Sequence, residues 1–476
     1  MRNVASFLRM IALSKIAVLG AGFTTTAFLA EAMLVIGELF FFESHPYIGI
    51  ITYLLLPGLF VLGLLMILIG LVWRVRRARK HLTLADIDQM AVARKISIAH
   101  AGQIILLLSM INLVVFALVG YRGFHYTESV AFCGQTCHEV MHPEFETYAR
   151  SPHAKIRCVE CHIGPGAGWF VKSKLSGARQ LIAVMADTYS RPIETPVHNL
   201  RPARDTCEVC HRPDIFHGNL VRVLEHFEPD EQNTRTYTVL NMRVGGGDGD
   251  ARTPHGIHWH VSRDHEVRYY ATDRKRENIV WVEQRSVRDG TRRVWTNPDD
   301  PSEPPAGAEI RSMDCVDCHN RPTHIYLPPE EALDEWMATD RIDAGIPWIR
   351  KIAFEVLTRR YETTEAAMDA IAQMPDLYRE RYPGAWAEHE QAVRATVPEV
   401  QAIHRAYVFP EMRIQWNTYS SLIGHATPHT QACFRCHNGI LRDEAGAPIT
   451  LDCNSCHFIL ANREANPRIL DRLVTE

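Results

Sequence analysis

Twelve cysteines occur in this chain of 476 residues, and they form six close pairs that are each followed directly by a histidine. Five pairs have the spacing C-x-x-C-H, whereas the first reads CGQTCH, with three intervening residues. C-x-x-C-H is the signature of c-type haem attachment, in which two thiols bind the porphyrin and the adjacent histidine binds the iron. In chain order, motifs one to six are Cys133, Cys137 and His138; Cys158, Cys161 and His162; Cys207, Cys210 and His211; Cys315, Cys318 and His319; Cys433, Cys436 and His437; and Cys453, Cys456 and His457.

Paired cysteines also occur in zinc ribbons and in disulfide frameworks. Neither arrangement requires a histidine directly after the second cysteine, yet all six pairs have one. We therefore expect six covalently bound haem c groups, the first of them on the irregular pair Cys133 and Cys137. So many porphyrins in one region would supply much of the apolar core that side chains normally provide.

Three apolar runs precede the first motif, at residues 16–42, 48–73 and 103–120. About 20 apolar residues cross the hydrocarbon core of a bilayer, so these runs predict three transmembrane helices. Lys and Arg are concentrated in the segment 74–98 and are lacking in the short link between the first two runs. By the positive-inside rule, segment 74–98 is a cytoplasmic loop. A cleaved signal peptide is the alternative for the first run, and it would leave the final topology unchanged.

The predicted fold class is therefore a mainly α membrane protein, with three transmembrane helices plus a periplasmic multihaem cytochrome c domain that contains a small β insert. The membrane anchor covers residues 1–123 and the haem domain residues 124–476. Short alternating stretches predict an antiparallel β insert at about 256–296, and helical periodicity dominates about 328–407. The formal net charge of −4 offers no basic face for a nucleic acid, so no such partner is expected.

A low-spin haem iron that relays electrons needs a second axial ligand, and histidines outside the motifs are plentiful. Met141, three residues after His138, could ligate the iron of motif one or pack as a core residue. In contrast, His226, His389 and His404 lie in helical, charged contexts that favour surface positions. The candidate second ligands lie in turn-flanked settings near the motifs: His153, His198, His258 or His260, His324 and His425.

The stretch CGQTCHEVM…SPHAKIRCVECHIGPGAGWFVKSKLSGARQ resembles the NapC/NirT family of membrane-anchored multihaem cytochromes c. Later blocks, including GIHWH and MDCVDCHNRPTH, are similar to the longer, three-span branch of that family, which includes inner-membrane cytochromes of metal-reducing bacteria. The resemblance covers most of residues 103–476. It implies quinol oxidation at the outer membrane surface and delivery of electrons to periplasmic partners.

The resemblance also implies where quinol would bind. In the smaller relatives the first haem lies nearest the quinol and has an unusual ligand set, and a Lys and an Asp lie beside it on the helix after motif two. Lys172 and Lys174 match the basic element, but no acid stands at the matching position. The proton acceptor is therefore expected to be another carboxylate, Glu139 or Glu144. Met141 lies one residue later than the family's usual C-H-x-M spacing.

The leading functional hypothesis is a quinol dehydrogenase in the bacterial inner membrane, with its haem domain in the periplasm. Its substrate would be menaquinol or ubiquinol, drawn from the quinol pool in the lipid. Its electrons would pass to periplasmic c-type cytochromes or to a reductase. One alternative is a non-catalytic relay subunit bound to other subunits of a larger membrane complex. Another is a terminal reductase with one open haem, which the surplus of histidines argues against.

Overall fold

The computed structural model describes residues 11–12, 14–40, 51, 55–77, 98–136, 138–197, 201–212, 218–245, 256–287, 289–299, 303–424 and 432–475. Cys137, His198, His425 and residues 78–97 of the expected cytoplasmic loop lie outside these ranges. The chain divides into two compact units. The first unit is Met1–Phe132 with Gly164–Ser176, and the second is Cys133–Ile163 with Gly177–Glu476.

Three long helices lie over the three apolar runs of the first unit. They are α1 (Lys15–Phe40), α2 (Leu56–Arg77) and α3 (Ile98–Thr127). Two segments within them, Lys15–Leu34 and Leu56–Trp73, are long and apolar enough to cross a membrane. The third crossing, within the 30 residues of α3, remains a prediction from the sequence.

Small and hydroxylated residues let these helices approach closely. A Cβ built on Gly20 of α1 would lie 2.6 Å from the carbonyl oxygen of Gly63 in α2. Between α1 and α3, the buried Thr26 hydroxyl donates to the Ser109 carbonyl (3.1 Å), and the buried Ser109 hydroxyl donates to the Gly22 carbonyl (3.2 Å). Small residues at the contact and hydroxyl bonds between helices are typical of membrane helix packing.

In the second unit, helices lie at the first four motifs and in the segments between these motifs. Their bounds are α4 (His138–Ala149), α5 (Cys158–His162), α6 (Ala167–Met185, whose first half belongs to the first unit), α7 (Ala203–Cys207) and α8 (Cys315–Cys318). Motifs five and six begin on short 3-10 segments, Ala432–Arg435 and Cys453–Ser455.

The described residues of the second unit form two antiparallel sheets. One has the order β1 (Leu220–Phe227), β2 (Arg235–Met242) and β7 (His457–Glu464). The other has the order β5-β4-β3-β6, and its main strands fall within the range 256–296 expected for the β insert. The strands within that range are β3 (His265–Ala271), β4 (Ile279–Ser286) and β5 (Arg292–Thr296), and the two-residue strand β6 (Arg311–Ser312) follows later in the chain.

A group of helices between motifs four and five has a hydrophobic core made of side chains alone. Leu333, Ile352, Leu357, Ile371 and Tyr378 are completely buried there. Porphyrin was expected to supply much of the apolar core of the haem domain, and in this region side chains supply it instead. The helices are α9 (Pro329–Ala338), α10 (Ile349–Thr358), α11 (Thr364–Ala372), α12 (Met374–Arg381) and α13 (Pro383–Tyr407); α14 (Arg468–Thr475) follows near the C-terminus.

His404 on α13 is only 1% exposed, which corrects the surface position expected from its charged sequence context. The Nδ1 atom of His404 has no hydrogen-bond partner among the described residues, and the ring packs edge-on against Tyr361. Burial lowers the pKa of His404 to about 4. The amphipathic pattern of α13 explains the difference, since the charged residues around His404 lie on other faces of the helix.

Candidate haem sites

The helical turns at motifs two and four bring the two cysteines of each of these motifs to one side. In α5, Cys158 and Cys161 are three residues apart and His162 is four residues from Cys158, so all three lie on the same face of the turn. The same spacing recurs in α8, which begins at Cys315 and ends at Cys318. No disulfide joins any of the eleven cysteines that the structure describes.

Four motif histidines each face one histidine from outside the motifs. The distance between ring centres ranges from 5.8 to 6.5 Å. The four pairs are His162 with His324 (6.3 Å), His211 with His153 (6.0 Å), His319 with His258 (6.5 Å) and His437 with His260 (5.8 Å).

These spacings fit two imidazoles on opposite sides of one iron. A metal–imidazole bond is about 2 Å long and the ring centre lies about 1 Å beyond the nitrogen, so the ring centres would be about 6 Å apart. Imidazoles in direct contact face to face would lie closer together. The residues present therefore fit haem groups with two histidine ligands.

Backbone carbonyls hold the four non-motif histidines in place through their Nδ1 atoms. An Nδ1–H that donates to a carbonyl fixes the tautomer and leaves the Nε2 lone pair for a metal. The contacts are His153 Nδ1 to the Pro322 oxygen (3.2 Å), His258 Nδ1 to the Val244 oxygen (2.6 Å), His260 Nδ1 to the Ile257 oxygen (2.8 Å) and His324 Nδ1 to the Glu144 oxygen (2.9 Å).

Burial also affects the charge of several of these rings. It lowers the pKa of His162, His260 and His319 below the usual value of 6.5, and the neighbouring histidine of each lowers the pKa further. The lowered pKa favours the neutral imidazole, which is the form that binds a metal.

Large apolar side chains remain exposed next to the motifs. Val209, between the two cysteines of motif three, is 73% exposed, and Phe434, between those of motif five, is 43% exposed. Exposed apolar residues at several motifs mark surface that a bound porphyrin would cover. Further examples are Ile156, Ile325, Ile440, Leu451, Phe458 and Ile459.

Thiols of consecutive motifs are neighbours throughout the second unit. A hydrogen bond with Cys133 is the main cause that lowers the pKa of Cys158 to about 7. The other neighbours interact through a hydrogen bond or through the charge of a thiolate. In chain order the pairs are Cys133 with Cys158, Cys161 with Cys210, Cys207 with Cys315, Cys318 with Cys433, and Cys433 with Cys456.

In the first unit, the structure separates the two lysines that were expected to serve one quinol site. Lys172 and Lys174 are two residues apart on α6 and so point about 200° apart around the helix. Lys172 is exposed and its Nζ lies 4.6 Å from the centre of the Trp169 ring. The Lys174 ammonium lies over Phe170 (4.9 Å) and donates to the Thr127 hydroxyl at the end of α3 (3.4 Å).

Phe124 of α3 completes the surroundings of Lys174, because its ring lies 6.0 Å from that of Phe170. We call Phe124, Thr127, Phe170 and Lys174 the α3–α6 cluster. The sequence reasoning missed its three members other than Lys174. The spacing of Phe170 and Lys174, four residues apart on a helix, was the signal that could have linked those two.

Comparison with known proteins identifies the family. Residues 95–219 match the model of the NapC/NirT cytochrome c family, N-terminal region. The chain is 41% identical over 431 residues to the cytochrome c-type protein ImcH of Geobacter sulfurreducens. This alignment covers 89% of this chain and 83% of ImcH. The chain belongs to the NapC/NirT family of cytochromes c. No solved structure matches this NapC/NirT cytochrome.

Membership confirms the family predicted from the motif sequences. The NapC/NirT cytochrome is therefore a membrane-anchored multihaem protein of electron transfer, and it binds haem c covalently. The side chains of His138 and Glu139 lie outside the part of the chain that the structure describes, as do Cys137, His198 and His425. Met141 is half-buried on α4, and His457 begins β7. The second ligands for motifs one and six therefore stay predictions.

Proposed function

We propose that this NapC/NirT cytochrome is a quinol dehydrogenase of the bacterial inner membrane. It would have three transmembrane helices and six haem c groups in the periplasm. The observation that carries the proposal is the set of four facing histidine pairs, because each pair combines one motif histidine with one from outside the motifs. When bound, haem supplies reversible one-electron chemistry at its iron.

Two histidines on one iron leave no position for a substrate, so the four pairs favour electron relay over a terminal reductase. The histidine pairs that would hold these haem groups are His162 with His324, His211 with His153, His319 with His258, and His437 with His260. Motifs one and six would use His138 and His457, with second ligands drawn from Met141, His198 and His425. The twelve motif cysteines would hold the six porphyrins.

The α3–α6 cluster is the proposed quinol site. Oxidation of one quinol gives one quinone, two electrons and two protons. The Lys174 ammonium would donate a hydrogen bond to a quinol oxygen and stabilise the negative charge that develops as a proton leaves. The Phe124 and Phe170 rings would pack against the quinol ring, and Thr127 holds the ammonium in place.

The carboxylate that receives the proton is proposed from the family resemblance. The Glu144 carboxylate lies against a proposed haem ligand, because its Oε2 is buried 3.1 Å from His324 Nδ1 and 3.7 Å from Arg321, without a hydrogen-bond partner among the described residues, and its Oε1 accepts a bond from the Tyr326 hydroxyl (3.4 Å). Glu139, at the start of α4, is therefore the proposed acceptor. Released protons would enter the periplasm, and electrons would leave to periplasmic c-type cytochromes or to a reductase.

The test compares Lys174→Met with Lys172→Met in the purified full-length protein. We expect Lys174→Met to slow haem reduction by menaquinol or ubiquinol at least tenfold, because a buried or partly buried charge-assisted bond is worth well over 1 kcal/mol. In Lys172→Met, whose substitution lies on the other face of α6, quinol should reduce the haem groups at the parent rate. Both variants should be reduced fully by dithionite.

Equal quinol kinetics in the two variants and the parent would place the quinol site elsewhere. An unmodified protein that quinol does not reduce at all would instead favour a relay subunit of a larger complex. The haem content of the same samples, measured against protein, should be six per chain. A lower ratio would contradict the assignment of haem to all six motifs.

A further inference from the structure

Arg435 is an arginine between the two cysteines of motif five, and it is only 7% exposed. Its guanidinium donates three hydrogen bonds, all to backbone carbonyl oxygens. Nε binds the Ala432 oxygen (2.9 Å), Nη1 binds the Arg276 oxygen (3.0 Å), and Nη2 binds the Asp317 oxygen through a short bond. Asp317 lies between the cysteines of motif four. One side chain therefore joins the attachment turns of two haem motifs to the β3–β4 connection.

Arg435 binds the backbone oxygen of Asp317, whereas the Asp317 carboxylate is bound by other groups. Arg311 Nε donates to its Oδ1 (2.8 Å), Arg276 Nη1 lies 3.4 Å away, and the backbone nitrogen of Asp314 donates to its Oδ2 (2.8 Å). Among the described residues, the guanidinium groups of Arg276, Arg311 and Arg435 meet two carboxylates, those of Asp314 and Asp317, so this cluster has an excess of one positive charge. Charges inside a protein are poorly screened by solvent and salt, so this excess acts strongly on its surroundings.

We propose that Arg435 is a positioning residue that fixes the attachment turns of motifs four and five against each other, and that its buried charge raises the reduction potentials of the haem groups held there. A reduced haem carries one positive charge fewer than an oxidised haem, so a nearby cation favours the reduced form. A guanidinium stays charged at every pH used in an assay, so the effect is constant.

The chain offers a set of matched variants. Arg435→Gln removes the charge, and Arg435→Lys keeps it while losing the three-way hydrogen bonding. Asp317→Asn removes the opposing negative charge with little change of shape. Arg442→Gln is the control, because Arg442 lies on the exposed loop after motif five and donates to the Gly446 carbonyl (2.9 Å). Each full-length protein would be titrated against potential by optical spectroscopy, with its haem-to-protein ratio measured first.

We expect Arg435→Gln to shift two of the haem transitions to lower potential and Asp317→Asn to shift the same two to higher potential. Arg435→Lys should keep the parent potentials, and so should Arg442→Gln. A purely structural role for Arg435 would change stability without opposite shifts in the two charge variants. If the Arg435→Gln variant cannot be obtained with bound haem, the reduction potentials of Asp317→Asn test the effect of the buried charge, and an upward shift supports it.

Unchanged potentials in Arg435→Gln, or in Asp317→Asn where it decides, would overturn the inference. A shift of equal size in Arg442→Gln would also overturn it. The inference rests on haem attachment at motifs four and five, which is part of the proposed function. The haem-to-protein ratio separates the two failures, since a parent protein without haem on these motifs would contradict the proposed function itself.

Discussion

His258 and His260 lie two residues apart on one short 3-10 segment, Ile257–Val261, yet their rings face histidines of different motifs. Neighbouring residues on such a segment point in different directions, so one turn can supply ligands to two metal centres. The angle between the two imidazole planes differs between the two pairs. The planes are 10° apart for His258 and His319 and 80° apart for His260 and His437.

These angles predict two kinds of paramagnetic resonance signal. Parallel imidazole planes act on the same iron d orbital and separate the orbital energies, which gives a rhombic low-spin signal. Perpendicular planes act on both orbitals equally and give a highly anisotropic signal. We expect His258→Met to remove a rhombic component and His260→Met to remove an anisotropic one, each equivalent to one haem. His389→Met, on α13, should change neither component; loss of the same component in both ligand variants would contradict the assignment.

His404 predicts a dependence of stability on pH. Its pKa is about 4 in the folded protein, below the ordinary value of 6.5, so the unfolded chain binds a proton more readily. The folded state therefore loses stability as pH falls from about 6.5 to about 4, by about 3 kcal/mol in total from this group. Below about pH 4 both states are protonated at this residue and the loss stops.

The measurement compares the parent with His404→Leu by chemical denaturation across pH 4 to pH 7, followed by far-ultraviolet circular dichroism. We expect the variant to be less sensitive to acid by about that amount. At pH 7 it should be at least as stable, because it no longer buries a polar nitrogen without a partner. Parallel pH profiles for the two proteins would contradict the buried, neutral state of His404.

At the scale of single elements, the contact between α1 and α2 depends on glycine. A side chain at Gly63 would meet the Gly20 carbonyl oxygen at 2.7 Å, so Gly63→Leu should force the two helices apart. Overpacking of this kind costs about 1–3 kcal/mol. Gly58, on the same helix, has nothing within 4 Å of its Cβ position, so Gly58→Leu is the matched control.

We expect Gly63→Leu to lower the melting temperature of the protein in detergent, followed by tryptophan fluorescence, whereas Gly58→Leu should leave it unchanged. Equal effects of the two substitutions would show that the helices do not pack through Gly63. The comparison concerns the membrane anchor alone, because both glycines lie in the first unit.

The sequence allowed prediction of elements whose pattern is local. The alternation around His265–Ala271 and Ile279–Ser286 indicated strands, and the periodicity after Pro329 indicated helices. The sheet that joins β2 to β7 could not be predicted in the same way, because the two strands lie more than 200 residues apart in the chain. Histidine pairing was out of reach for the same reason. His153 faces motif three rather than its neighbour motif two, and nothing in the spacing indicates that choice.

At the scale of the whole molecule, the neighbouring thiols give the motifs a linear order that follows the chain. The helices α9 to α13 pack around residues such as Leu333 and Ile371 without any contribution from a motif, although they lie between motifs four and five. The haem domain thus combines an ordinary helical core with regions near the motifs where apolar residues such as Phe434 are exposed on the surface that a porphyrin would cover.

The linear order leads to a test of the whole electron path. Electron transfer slows steeply with distance, so loss of one central haem should divide the path. We expect the double variant Cys207→Ala and Cys210→Ala, which lacks motif three, to show rapid reduction by quinol of two haem groups and slow reduction of the other three. The control is Cys453→Ala with Cys456→Ala, in which motif six is lost and all five remaining groups should be reduced rapidly.

Stopped-flow absorbance at the haem bands measures both variants, and dithionite gives the total reducible haem of each. The amplitude of the rapid phase, divided by that total, should be about two fifths in the first variant and close to one in the second, since the motifs before the break stay connected to the entry point. A rapid phase that includes all five groups without motif three would mean that the path branches around it. A slow phase in the motif-six variant would mean that electrons enter from the other end of the order.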